Sequence, residues 1–149
     1  MGRMYIAPFD GLAVTTDATQ DIWEITAGSA NKVVIHGFEM SSASIVAEIV
    51  DIRLVRYATS GSVGGTAVEV ALDEDDSAVT AAVETLNTTP GGTPIILMGW
   101  QWEQLGPLVY LPTPETRIVV QESGILALNL QTALGATTNW SGHLVWEEI

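Results

Sequence analysis

Residues 48–90 read EIVDIRLVRYATSGSVGGTAVEVALDEDDSAVTAAVETLNTTP, and the alternation at their start decides the fold. Across 48–57, Ile52 and Leu54 alternate with Asp51, Arg53, Val55 and Tyr57, the period of two expected of a strand in a two-layer sandwich. Arg53 and Arg56 have opposite parity, so one leans toward a buried side and needs a carboxylate partner. A Ser/Gly loop follows at 59–66, with three glycines in eight residues, and reads as mobile. Residues 66–72 read as a strand again, 73–76 as an acidic turn and 88–94 as a loop. Between them, 77–87 fits a helix through Ala78, Val79, Ala82, Val83 and Leu86, or a short strand; its β surroundings tilt the reading to strand.

The rest of the chain repeats the pattern. Residues 4–16 read as an extended arm or first strand, interrupted at Pro8 and Gly11. Residues 20–26 place Trp23 and Ile25 on one face and Ile22 and Glu24 on the other. In 32–40, Val34, His36, Phe38 and Met40 share a side, and Gly37 marks a bulge or the close approach of another backbone. Met98, Trp100 and Trp102 share a face in 94–103, while three prolines in 106–114 make an extended connection or edge strand. Residues 116–131 form a hairpin about Ser123-Gly124, with Leu126, Leu128 and Leu130 inward, and 140–147 is the last strand. Eight to ten short strands with turns every 8–12 residues predict an all-β single domain: a jelly-roll-like antiparallel β-sandwich, with an immunoglobulin-like sandwich as the alternative. The expected division is an arm or first strand at 1–16 and a sandwich domain at 17–149.

Composition narrows the function. The 149 residues are 47% hydrophobic and only 15% charged, with five Lys/Arg against 18 Asp/Glu and a net charge of −13. Size scaling for 15.8 kDa gives a folded surface of roughly 7,300 Å² against roughly 23,000 Å² unfolded, enough burial for one self-supporting core. So few charges hint at a surface partly hidden against other subunits. Five cations make no basic stripe for nucleic acid and no patch for an anionic membrane. No cysteine is present, no apolar run approaches the ~20 residues of a membrane helix, and residues 1–20 lack a signal-peptide pattern. The chain is therefore expected to be made in the cytoplasm of its host.

A search for chemistry ends without a reactive constellation. His36 and His143 lack ligand spacing and read as strand residues. Ser60 and Ser62 stand in SGSVGG rather than GxSxG, and the loop has neither Lys nor a following helix to cradle phosphate. Asp73, Glu74, Asp75 and Asp76 are the one carboxylate run; without the alternating ligands of a calcium loop it reads as a solvated turn. No catalytic, cofactor or metal residue is assigned, and no enzyme is expected. The five Trp read mainly as core. Trp100 and Trp102 are the pair most suited to an interface or to sugar rings. Tyr5 and Phe9 of the N-terminal arm are the other candidate interface residues.

Several segments, taken in order, resemble a family. They are IRLVRYATSGSVGGTA (52–67), LDEDDSA (72–78), LNTTP (86–90), GWQW (99–102), PTPETRIVV (112–120) and GHLVWEEI (142–149). Together they resemble small structural proteins encoded among the head genes of tailed bacteriophages and prophages. The resemblance implies a virion protein, and by extension a decoration protein that stabilises the head shell as an oligomer, expected to be a homotrimer on the major capsid protein. It offers no catalytic motif. The alternative is a phage tail or surface module that binds glycans through its Trp residues.

Overall fold

The alternating segments form antiparallel strands joined by turns, and the one helical element among the described residues is a single 3-10 turn at Pro114–Thr116. The computed structural model describes residues 2–17, 19–62 and 64–149. Twelve strands follow in order: β1 (Arg3–Val14), β2 (Gln20–Thr26), β3 (Val33–Ser42), β4 (Ile49–Tyr57), β5 (Gly65–Thr66), β6 (Val70–Ala71), β7 (Ala82–Asn87), β8 (Ile95–Glu103), β9 (Leu108–Tyr110), β10 (Val119–Val120), β11 (Ile125–Leu130) and β12 (Thr138–Glu148). One sheet runs β10-β3-β12-β1-β6, with β9 also paired to β3; the other runs β5-β7-β2-β11-β4-β8. Taking the eight principal strands alone, β1-β12-β3-β9 faces β2-β11-β4-β8. That strand order is a jelly roll, and it sets aside the immunoglobulin-like alternative.

The opening stretch thus contributes one framework strand, β4, followed by an insertion between β4 and β8. The insertion wraps the sandwich. It adds β7 and β5 beyond β2 in one sheet and β6 beyond β1 in the other. The core lies between the sheets and is bridged by aromatic contacts: Trp23 to Phe38 at 5.5 Å, Phe38 to Trp100 at 5.8 Å and Trp102 to Trp140 at 5.0 Å, all edge to face. Such pairs add ~0.5–1.5 kcal/mol each beyond the area they bury.

Several local expectations change. The N-terminal segment is a strand, not a free arm, for β1 pairs with β12 along its length. The breaks at Pro8 and Gly11 are absorbed by a bulge between Phe9 and Leu12, where Gly11 takes φ +62°. Met1 of the expected arm lies outside the described residues. The surface of 7272 Å² equals the compact value expected from mass, so no described segment is thrown outward. Residues 66–72 do not form one strand; the chain changes sheets there, leaving the two-residue β5 and β6. Within 77–87 the strand reading holds for β7 alone. Among the described residues Arg53 and Arg56 find no carboxylate; Arg56 is exposed and donates through Nη2 to the Val119 carbonyl at 3.1 Å. Gly37 meets both of its readings: the register shifts beside it, and a Cβ there would stand 2.5 Å from the Tyr110 carbonyl oxygen.

Candidate functional site

At one end of the sandwich three loops converge on Glu48. Its Oε1 accepts from Gly135 N at 3.0 Å, its Oε2 from Gln104 Nε2 at 2.9 Å, and its carbonyl from Gln104 N at 3.2 Å. Gln104 is itself buried, and its Oε1 accepts from Trp140 Nε1 at 3.1 Å and from Ser42 Oγ at 3.2 Å. A carboxylate holding donors from two other loops fixes the loop end as one surface. On that surface Ile45 is 94% exposed, with Val46, Ile49 and Leu105 all more than half exposed. Ile45 and Val46 line an open groove of about 770 Å³, closed on its other side by 135–139. Four large aliphatic side chains around one rigid clamp is more apolar surface than an isolated residue or two.

The four residues expected at an interface lie elsewhere. Tyr5 is 1% exposed, stacked on Trp146 at 5.8 Å, and its hydroxyl donates to the Ser77 carbonyl at 2.9 Å. Trp102 is 5% exposed, its Nε1 donating to the Gly106 carbonyl at 2.8 Å. Trp100 is half-buried against Phe38 and Tyr110, and Phe9 is half-buried too. The spacing of Trp100 and Trp102 does put them on one face, but it is the inner face of β8. Burial therefore corrects Tyr5 and Trp102 from interface to core, and no Trp among the described residues is exposed enough to form a strip for sugar rings. The aliphatic loop end was missed because SIVAEI (44–49) reads as the lead-in to a strand. Its signal was an apolar pair, Ile45-Val46, between serines and a glutamate.

A second constellation lies on the outer face of the sheet containing β2. Glu24 projects there by alternation with the inward Trp23 and Ile25, and Asp21 joins it because β2 carries a bulge: the register with β11 passes from Trp23 to Asp21 and skips Ile22, which turns inward. Both acids are buried, at 0% and 1% exposure. Asp21 Oδ1 accepts from Asn129 Nδ2 at 2.7 Å and from the Tyr57 hydroxyl at 2.9 Å. Glu24 Oε2 accepts from Gly61 N at 2.9 Å, and Asn87 Nδ2 donates to Glu84 Oε2 at 3.0 Å. Gln131 Nε2 completes the network on Asn129 Oδ1.

The cover over these acids is the Ser/Gly loop. It does not hang free, as expected of it: Ser62 N donates to the Thr89 carbonyl at 2.8 Å, and Gly92 N to Thr59 Oγ1 at 3.1 Å. Val63 lies outside the described residues. A glycine is needed at 91, where a Cβ would stand 2.2 Å from the Thr59 carbonyl oxygen and 2.7 Å from the Tyr57 ring. The sequence signal for this site was two acids inside the otherwise apolar QDIWEIT.

Burial raises Asp21 from 3.8 to about 6, against the hydrogen bonds from Asn129 and Tyr57. Burial also raises Glu24, with the charges of Asp21 and Glu84 adding to it. Desolvation lifts Tyr57 as well, so its hydroxyl stays a donor. Because the folded pKa of Asp21 exceeds its unfolded value, the stability from its protonation is complete below about 3.8 and is lost as pH rises through about 6. The shift corresponds to about 3 kcal/mol at most. In EDTA-containing buffer the urea midpoint is expected to fall between pH 4 and pH 7.5, and to fall less in Asp21→Asn. Equal slopes in the two proteins would refute the assignment.

The remaining candidates lie apart from both constellations. His36 Nε2 pairs with Glu147 Oε2 at 3.1 Å, and His143 sits on β12. Asp73 caps its own turn, its Oδ1 accepting from Asp75 N at 3.1 Å. Among the described residues no three Asp, Glu, His or Cys side chains surround a common point. Among the described residues no helix is long and apolar enough to cross a membrane. The chain matches no known family model, no curated protein and no solved structure.

Proposed function

We propose that the chain is a virion structural protein that decorates the head of a tailed bacteriophage, bound to the major capsid protein as an oligomer, with a homotrimer the expected form. The observation that carries the reading is the rigid apolar loop end: Ile45, Val46, Ile49 and Leu105 exposed around the Glu48 clamp. Preformed apolar surface of this kind binds a partner without the cost of ordering a loop. The low content of charged residues and the resemblance of 52–149 to phage head proteins point the same way. A protein that binds only the assembled shell stabilises it by mass action. The stacking strip that a glycan-binding reading needs has no exposed Trp to build it.

The test joins solution mass with sedimentation against heads of the encoding phage stripped of this protein. The wild-type chain is expected as a multiple of 15.8 kDa that pellets with heads. A variant carrying Ile45→Asp and Val46→Asp should fold, because both side chains are exposed, and should bind heads at least tenfold more weakly. A monomer that stays in the supernatant would overturn the reading.

A further inference from the structure

Asp21 Oδ2, Glu24 Oε1 and Asn87 Oδ1 are buried without any hydrogen-bond partner. They belong to neighbouring positions of β2 and β7: Asp21 pairs with Asn87, and Glu24 with Glu84, whose own Oε2 holds the Asn87 amide nitrogen. That hydrogen bond turns Asn87 Oδ1 away, toward the covering loop, where a Cβ on Gly64 would stand only 1.9 Å from it. So three buried oxygens lack donors, two of them carboxylate oxygens, and among the described residues the carboxylates find no Lys or Arg; the one cation-capable side chain paired with a carboxylate is His36, on Glu147. Buried acceptors are normally satisfied, and a buried carboxylate without a counter-charge costs several kcal/mol.

We propose that Asp21, Glu24 and Asn87 bind a calcium ion beneath the loop residues Gly61 and Gly64. The donor set is all oxygen, hard and partly anionic, with neither imidazole nor thiolate, which suits calcium or magnesium and disfavours zinc. Calcium fits better. It accepts an irregular shell of six to eight oxygens, including amide and backbone carbonyls, whereas magnesium demands a regular octahedron and holds its water. Three side-chain oxygens leave the rest of that shell to water and to carbonyls of the covering loops. Through Gly61 N on Glu24 Oε2 the ion would also fix the lid, linking the insertion to β2. The site lies on the sheet face, away from the loop end, and does not depend on the capsid reading.

The experiment is calorimetric titration of the EDTA-treated full chain with calcium chloride at pH 7.5, paired with thermal melts. One ion per chain is expected, and calcium at about 100 times its Kd should raise Tm by roughly 5–10 °C. Asp21→Asn and Glu24→Gln keep shape and relieve repulsion, so each should fold and each should lose the binding heat. A variant with Asp73→Asn and Asp75→Asn, in the solvated turn, should bind as wild type does. Absence of heat and of a Tm shift in the wild type would overturn the proposal. So would binding lost in the turn variant and kept in Asp21→Asn, or an equal Tm rise with potassium at matched ionic strength.

Discussion

Gly142→Ala should remove about 4–5 kcal/mol of stability, roughly a third or more of the total for a domain of this size. Gly142 lies in β12, between β3 and β1, opposite Met40 on one side and Phe9 on the other. A Cβ there would stand 2.1 Å from the Glu39 carbonyl oxygen and 2.8 Å from Met40 Cα. Both obstacles are backbone, and β3 is held from its other side by β9 and β10, so it cannot retreat without breaking a ladder. The cost belongs with the severe class, about 4–5 kcal/mol, against a total stability of roughly 5–15 kcal/mol for a domain of this size. Gly99→Ala is the control: its Cβ would find only ordinary contacts at 3.8 and 3.9 Å on the edge strand β8, and a change below about 1 kcal/mol is expected. Urea melts of the two proteins decide; midpoints that agree would mean that β12 and β3 do not approach as described.

The second large effect is at Trp146. Its side chain is fully buried, opposite Tyr5 and Ile35 in the ladder and stacked on the Tyr5 ring with planes 28° apart. Trp146→Ala should cost about 3–5 kcal/mol, because it opens a cavity that neighbours on both sheets are too constrained to fill. It should also loosen Tyr5, whose hydroxyl ties this sheet to the insertion at Ser77. Trp146→Phe should behave differently. The indole Nε1 has no partner, so the smaller ring removes a buried unsatisfied donor along with some volume, and a loss of about 1–2 kcal/mol is expected. Thermal melts of both variants test this, and an Ala variant as stable as the Phe variant would contradict the packing described here.

What the sequence revealed and concealed follows from which forces are local. Alternation in 48–57, 125–131 and 140–147 exposes β4, β11 and β12, since each pattern is a property of a few adjacent residues. β1 was ambiguous because Pro8 and Gly11 break a pattern; only the pairing with β12 shows that the break is a bulge. Pro8 is tolerated because β6 pairs with Tyr5 and Ile6 alone, leaving β1 one neighbour at that point. A period of two also set Ile22 beside Glu24, whereas the skipped register of β2 turns Ile22 inward and Asp21 outward. Nothing near 20–26 announces that this outer face will be covered, for the cover arrives from Gly61, Gly64 and Gly91. The Trp pair on β8 had the right spacing and the wrong side. Spacing states which residues share a face, but only the packing of the other sheet states which face is wet.

The pairing of β1 with β12 places a strand from residues 3–14 beside one from 138–148 in the middle of a sheet. That seam sets a timetable. At ordinary synthesis rates β1 waits on the order of ten seconds on the ribosome before its partner exists. During that interval Tyr5 and Ala7 have no Trp146 or Leu144 to cover them, and the sheet has no centre on which β3 and β6 can assemble. Non-local pairing of this kind folds in milliseconds to seconds once the chain is whole. The β1–β12 seam can therefore close only late, and the Glu48 clamp in turn waits for Gly135 to be made.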